Sequence, residues 1–222
     1  MIGPEERDRI SAAVAAAERS SHGEIVTVVA ARSDAYHDVG LHYAVLAMLL
    51  VPALIAALPQ RAVDRLLGLF GGWDDAVSRS ALMAALFAAL ALTFLLVRYL
   101  LAWTPLRMAL TPGATKTRRV RRRAVELFRA AAERRTTGRT GILLYLSLQE
   151  RRAEIVADEA ILARVAPELW GDAMAALLGE VKAGRPADGM VRAVEMIGAV
   201  LAEHLPHGPE DTNELPDRVI TI

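Results

Sequence analysis

Two long apolar stretches decide what this chain can become. Leu41 to Leu58 reads LHYAVLAMLLVPALIAAL, and Ala81 to Trp103 reads ALMAALFAALALTFLLVRYLLAW with Arg98 as its lone charge. A bilayer core of about 30 Å is crossed by roughly 20 apolar residues in helical form. The second stretch meets that length comfortably and the first only just. A helix satisfies its own backbone hydrogen bonds in lipid, which an irregular segment cannot do. Both stretches, 41–58 and 81–103, are therefore read as transmembrane helices. The competing reading, two buried core helices of a soluble protein, calls for a polar stripe along each, and neither stretch has one.

The rest of the chain is charged. Hydrophobic residues make up 54% and charged residues 23%, with a formal net charge of zero, so the two kinds are segregated along the sequence. A neutral total gives no global attraction to nucleic acid. The absence of cysteine excludes disulfides, thiol nucleophiles and cysteine-based zinc sites. The opening MIGPEERDRI lacks an apolar core, so no cleavable signal peptide is expected and the first membrane helix would direct insertion. Abundant arginine and alanine suggest a bacterial genome.

Charge also orients the hairpin. After Trp103 come Arg107, Lys116, Arg118, Arg119, Arg121, Arg122 and Arg123 with no acid among them, whereas Arg61, Arg65 and Arg79 of the bridge 59–80 are offset by Asp64, Asp74 and Asp75. By the positive-inside rule both termini are cytoplasmic and the bridge lies outside, in a bacterial inner membrane. Leu66, Leu67, Leu69, Phe70 and Trp73 make a short interfacial helix in the bridge as reasonable as plain extra hairpin length. The run Lys116, Arg118, Arg119, Arg121, Arg122 and Arg123 has no interleaved aromatics. It is read as facing anionic lipid headgroups and not nucleic acid.

The flanks alternate helix and strand. Ile10, Val14 and Ala17 line a short helix behind Pro4, and β-branched Glu24–Ala31 reads as a buried strand. Val120, Ala124, Leu127, Phe128 and Ala131 line another helix. Gly141–Leu148 is a central strand, and Arg152–Ala157 returns antiparallel to it. Pro167 opens a helix faced by Trp170, Met174, Leu178 and Val181, closed by Gly184. Pro186 opens the last, striped by Met190, Val194, Ile197, Leu201 and Leu205. The tail, 208–222, is given no firm structure. Segments 1–36 and 118–207 together form one split α/β domain, since the first is too small to fold alone. The domain would close over the cytoplasmic mouth of the hairpin.

The runs GEIVTVVAARSDAY, RTGILLYLSLQERRAEIVADEAI and PELWGDAMAALLGEVKAGRPADGMVRAVEMIGAVLAEHLP resemble the TPM domain family, whose bacterial relatives include proteins with a membrane hairpin inside the domain. The resemblance implies a small mixed β-sheet sandwiched by helices. It also implies neighbours among other TPM-domain and LemA-type membrane proteins, and roles in membrane-complex assembly or repair, receptor modulation or acid phosphatase activity.

Catalytic signals are sparse. There is no GxSxG, no phosphate-binding glycine loop and no HExxH. Asp34, His37 and Asp38 offer oxygen and nitrogen ligands beside the first membrane helix, but a polar collar at the membrane surface, which needs no metal, is the favoured reading. If the strands at 24–31 and 141–148 are parallel neighbours, Ser33 and Asp34 share an edge with Ser147 and Glu150. Asp34 and Glu150 there form a candidate acid–base pair, or a site for Ca²⁺ or Mg²⁺ completed by Asp38. Acidic turn residues are also common at strand ends. Glu154 and Asp158 belong elsewhere, Asp158 at the opposite edge. The leading expectation is an inner-membrane protein with no cofactor, whose cytoplasmic domain is an interaction module in an assembly or quality-control complex. The alternative is a metal-dependent phosphatase using Asp34 and Glu150.

Overall fold

Strand β1, Glu24–Ala30, is buried at every position, so the sheet around it must be covered on both faces. A computed structural model describes residues 2–68, 78–131, 140–206 and 218–222. The sheet has the order β3 (Arg152–Ala157), β2 (Gly141–Ser147), β1, β4 (Ile220–Thr221). β1 runs parallel to β2, Gly141–Ser147, from Glu24 opposite Gly141 to Ala30 opposite Ser147. β3, Arg152–Ala157, is antiparallel to β2, as the short turn between them requires.

The period of two along each strand sorts its side chains into two cores. Ile25, Val29, Ile142, Leu144 and Leu146 face one way, against helices α1 (Pro4–Glu18), α8 (Pro167–Lys182) and α9 (Pro186–His204). Val26, Val28, Ala30, Leu143 and Tyr145 face the other way, under Val120, Ala124 and Phe128 of α6, Gly113–Ala131. The result is a small mixed sheet between helical layers, the α/β architecture expected. Ile10, Val14 and Ala17 of α1 and Met190, Val194, Ile197, Leu201 and Leu205 of the last helix are buried as their spacing predicts. In α8 the buried line is Trp170, Ala173, Leu177 and Val181, while Met174 and Leu178 are only partly covered. The small Ala173 lets the sheet-facing stripe sit one position off the larger residues. Gly184, at φ +81°, ends this helix in the left-handed conformation that glycine adopts without strain.

Outside the segment 36–111, three segments differ from expectation. The tail contributes β4, Ile220–Thr221, which pairs parallel with β1 at Val28 and Val29; it is too short for a periodic signal, and β-branching was its only mark. Helix α6 begins at Gly113, seven residues before its first buried apolar side chain, because its first two turns are polar. A four-residue helix α7, Glu159–Leu162, precedes α8.

The chain divides into two compact units, Met1–Ala35 with Pro112–Ile222, and Tyr36–Thr111. The second contains α2 (His37–Ala57), α3 (Gln60–Gly68), α4 (Arg79–Leu100) and α5 (Thr104–Leu110). Helices α2 and α4, of 21 and 22 residues, are long and apolar enough to cross a membrane, with mean hydropathy of 2.2 and 2.4 over their most apolar stretches. α4 buries none of its residues, and Leu54, Phe87, Leu92 and Leu96 stand exposed. α3 places a helix in the bridge, while Leu69, Phe70 and Trp73 lie outside the described residues. α5 was not anticipated, and its Arg107 is not a free exit charge. It is buried, donating to the Leu101 carbonyl at 3.2 Å and the Thr104 hydroxyl at 3.3 Å.

Candidate functional site

Because β1 and β2 are parallel and in step, their carboxyl ends coincide, which is where open α/β sheets place ligands. The Leu148 and Gln149 amides donate to the Ala30 and Ala31 carbonyls, each at 3.0 Å. This carries the pairing past the strands and fixes the turn that follows β2. That turn bends back tightly, with Arg151 at φ 50°, and it brings the Glu150 carboxylate under the chain leaving β1.

Glu150 is buried, and each of its oxygens accepts a hydrogen bond. The Ser33 amide donates to Oε1 at 2.9 Å and the buried Ser147 hydroxyl donates to Oε2. The Ser33 hydroxyl is bonded at 2.9 Å to the phenol of Tyr145. Ser33, Tyr145, Ser147 and Glu150 thus form one network tying the two strand ends together. Burial raises the Tyr145 pKa and the nearby Glu150 adds to that, against an opposing contribution from the Ser33 hydrogen bond, so the phenol is neutral at physiological pH.

Sequence reasoning placed Ser33, Ser147 and Glu150 at one edge, and the structure brings these three together. Asp34 turns another way. Its carboxylate meets Arg119 of α6 at 2.9 Å, with Arg122 at 3.8 Å. Tyr145 escaped notice because a single tyrosine in GILLYLS reads as one more core residue; its position opposite Val28, on the face shared with Ala30, decides its role. Asp158 lies at the far end of β2, exchanging hydrogen bonds with Gly141 as side-chain acceptor and backbone donor, both 2.9 Å. Glu154, on β3, is half-buried; desolvation raises its pKa while Arg121 and Arg152 oppose the rise.

Nucleophilic catalysis needs a base hydrogen-bonded to the attacking group. The Ser33 hydroxyl meets a neutral phenol, and Glu150 accepts from the Ser33 amide and not from its hydroxyl. The other candidate ligands, His37 and Asp38, open α2, where the Arg107 guanidinium approaches the His37 ring at 3.5 Å and the His42 ring meets the Asp38 carbonyl at 2.7 Å. Among the described residues no three His, Asp or Glu side chains are gathered as a metal ion requires.

The basic face of α6 is the other feature with chemical potential. Val120, Ala124 and Phe128 dock on the sheet, so the helical period leaves Arg118, Arg122 and Arg129 in a line on the opposite side, and all three are exposed. At 1.5 Å per residue that line spans about 16 Å. Arg121 and Arg123 flank it, and Glu126, at 3.5 Å from both Arg122 and Arg123, partly offsets it. Arg119 departs from the headgroup-facing set to which its sequence neighbours assign it, being largely covered and engaged by Asp34. Lys116 is half-buried.

Comparison with known proteins agrees with this architecture. No curated protein matches the chain. A solved structure, that of the BA42 protein from the psychrophilic bacterium Bizionia argentinensis determined by NMR, aligns over 100% of this chain and 96% of its own length, with a TM-score of 0.57 and 17% identity. At that identity the likeness concerns the fold alone. Residues 105–200 match the family model of the TPM domain, a span that includes α6, β2, β3, α7, α8 and most of α9. With the mixed sheet and its helical layers in place around that span, residues 105–200 are similar to the TPM domain family, and the likeness over the rest of the chain is one of fold.

Proposed function

We propose that this protein is anchored in a bacterial inner membrane by α2 and α4, and that its TPM domain is a non-enzymatic interaction module on the cytoplasmic side. The observation that carries the proposal is the engagement of the edge carboxylates. Asp34 is held by arginines and Glu150 by two hydrogen-bond donors, so both are committed to joining elements of the domain. A group serving as general acid or base has to exchange its proton with a substrate. The exposed apolar surface of α2 and α4 supports the anchor, since a soluble monomer rarely leaves so large a continuous apolar area in water. The arginine line of α6 suits anionic lipid headgroups, each basic residue adding about 1 kcal/mol near such a surface. Other TPM-domain or LemA-type membrane proteins are the partners this reading favours.

Two experiments test it. Alkaline carbonate should leave the full-length protein in the membrane fraction, and release into buffer without detergent would refute the anchor. Affinity capture of the detergent-solubilised protein should enrich a defined membrane partner. Hydrolysis of a generic phosphomonoester, lost on Asp34→Asn, would replace the interaction module with the metal-dependent phosphatase, with Ca²⁺ or Mg²⁺ as the cation to supply.

A further inference from the structure

Strand β3 forms one edge of the sheet, with β2 beside it and no described strand on its other side. The Asp158 amide donates to the Gly141 carbonyl at 2.9 Å, and the pairing then runs in unbroken register from Ala157 opposite Ile142 to Arg152 opposite Ser147. In an antiparallel ladder, residues bonded to the neighbouring strand alternate with residues that are not. Val156, Glu154 and Arg152 therefore bond to β2, while Ala153, Ile155 and Ala157 point their N–H and C=O groups outward. None of these outward groups has a backbone partner among the described residues. Most of the strand keeps partial exposure. An open edge of this kind is a template for further pairing unless a proline, a bulge or a covering segment protects it, and β3 has neither proline nor bulge.

We propose that the β3 edge is a self-association surface, on which a second copy of this chain pairs antiparallel through its own β3. The strand matches itself about a two-fold axis at Ile155. Ala153 then lies opposite Ala157 of the second copy, Ile155 opposite its own counterpart, and Ala157 opposite Ala153. In that register every outward N–H and C=O of both strands is paired, in an isologous joint that closes on itself. On one face the two Ile155 side chains, each only partly covered by its own core, meet between small alanines. On the other face Arg152 stands across from Asp158 of the second copy at both ends of the joint, an opposite-charge pair, although Asp158 also accepts from the Gly141 amide. Glu154 lies opposite Val156 and nears its counterpart only on the diagonal, at about 7–8 Å. Arg121 and Arg152 act on that carboxylate within each copy and offset the repulsion. The edge belongs to the α/β unit, so the proposal does not depend on whether α2 and α4 cross a bilayer or on how the Glu150 network is used.

The test is the association state of the full-length protein in detergent micelles, read as protein mass by light scattering and by cross-linking. A dimer is the expected mass. The chain has no cysteine, so Ile155→Cys introduces a single thiol. Directly opposed residues of the bonded class lie about 5.5 Å apart at Cα, within the span of a disulfide. Oxidation with diamide should link Ile155→Cys into dimers about tenfold faster or more than Arg19→Cys, whose exposed site at the end of α1 meets a second copy only by collision. Ala157→Pro removes one outward donor from each copy and no bond to β2, and should weaken the dimer about tenfold. Ile155→Lys sets two like charges face to face and should leave monomer. Circular dichroism identifies the folded variants, and Ala157→Pro decides where the lysine variant is not among them. The proposal is overturned by a parent protein of monomer mass, by Ile155→Cys linking no faster than Arg19→Cys, or by a dimer that persists unchanged in the folded variants, which would place the association on the membrane helices or another face.

Discussion

Replacing Glu150 separates a structural carboxylate from a catalytic one. Glu150→Ala removes the acceptor for the Ser33 amide and for the Ser147 hydroxyl together. Hydrogen bonds to a charged group contribute roughly 1.5–3 kcal/mol each. Ser147 is fully buried and its hydroxyl stays unmet, while Ser33 is partly exposed and recovers some of the loss from water. The expected net destabilisation is about 2–4 kcal/mol. For a chain of this size that corresponds to a fall in melting temperature of about 5–15 °C. Glu150→Gln keeps the shape: its carbonyl accepts from the Ser33 amide and its amide donates to the Ser147 oxygen. Only the charge assistance is lost, about 1 kcal/mol. Thermal unfolding of the detergent-solubilised protein, followed by near-ultraviolet circular dichroism, reads both. An active-site carboxylate held under strain would give the reverse, since removing it tends to leave stability unchanged or improve it. An alanine variant that melts within about a degree of the parent, or a glutamine variant as damaged as alanine, would refute the reasoning.

Other expectations follow from the packing and the charges. A Cβ added at Gly198 would lie 2.6 Å from the Cβ of Ala17, so Gly198→Ala should force α1 and α9 apart and destabilise by about 1–3 kcal/mol, checked by the same melting experiment. Asp34→Asn loses a partly exposed ion pair to Arg119 and should change stability by no more than about 1 kcal/mol, an effect that shrinks as salt is added; a larger, salt-independent loss would contradict it. Glu154 binds its proton more tightly in the folded chain than in the unfolded one. Its contribution is therefore complete below the ordinary glutamate pKa and is lost as pH rises through the raised value. Glu154→Gln should remove that decline, so its advantage over the parent in unfolding measurements grows with pH; a constant difference from acid to neutral pH would count against the assignment.

The parts of the fold that were legible in the sequence are those where periodicity and burial coincide. Helix α9 is the clearest example, because Met190, Val194, Ile197, Leu201 and Leu205 repeat at the helical period and all reach the core. In α8 the same reading chose Met174 and Leu178, since size alone cannot show that an alanine faces the sheet. β4 was invisible because its two residues carry no period and gain their structure from the open edge of β1. The candidate site was half legible. The parallel pairing foretold that Ser33, Ser147 and Glu150 would meet, but not that Asp34 would turn to Arg119, because α6 had to be docked before its arginines had positions. Tyr145 draws its interest from what surrounds it, which comes from residues distant in the chain.

The pairing of β1 with β2 has a consequence for how the protein is made. Ser33 and Glu150, the residues that join the two strand ends, are 117 positions apart, and the whole Tyr36–Thr111 unit is synthesised between them. At about 5–20 residues per second, β1 leaves the ribosome roughly 6–25 seconds before β2 can pair with it. Throughout that interval a strand that is buried along its whole length in the finished domain has no sheet to join, and non-local pairing of this kind is intrinsically slow even once both strands exist. Biogenesis thus sets an order: α2 and α4 must be inserted or sheltered first, and the domain closes last. A destabilised hairpin should therefore lower the yield of folded α/β domain even where the domain's own residues are unchanged.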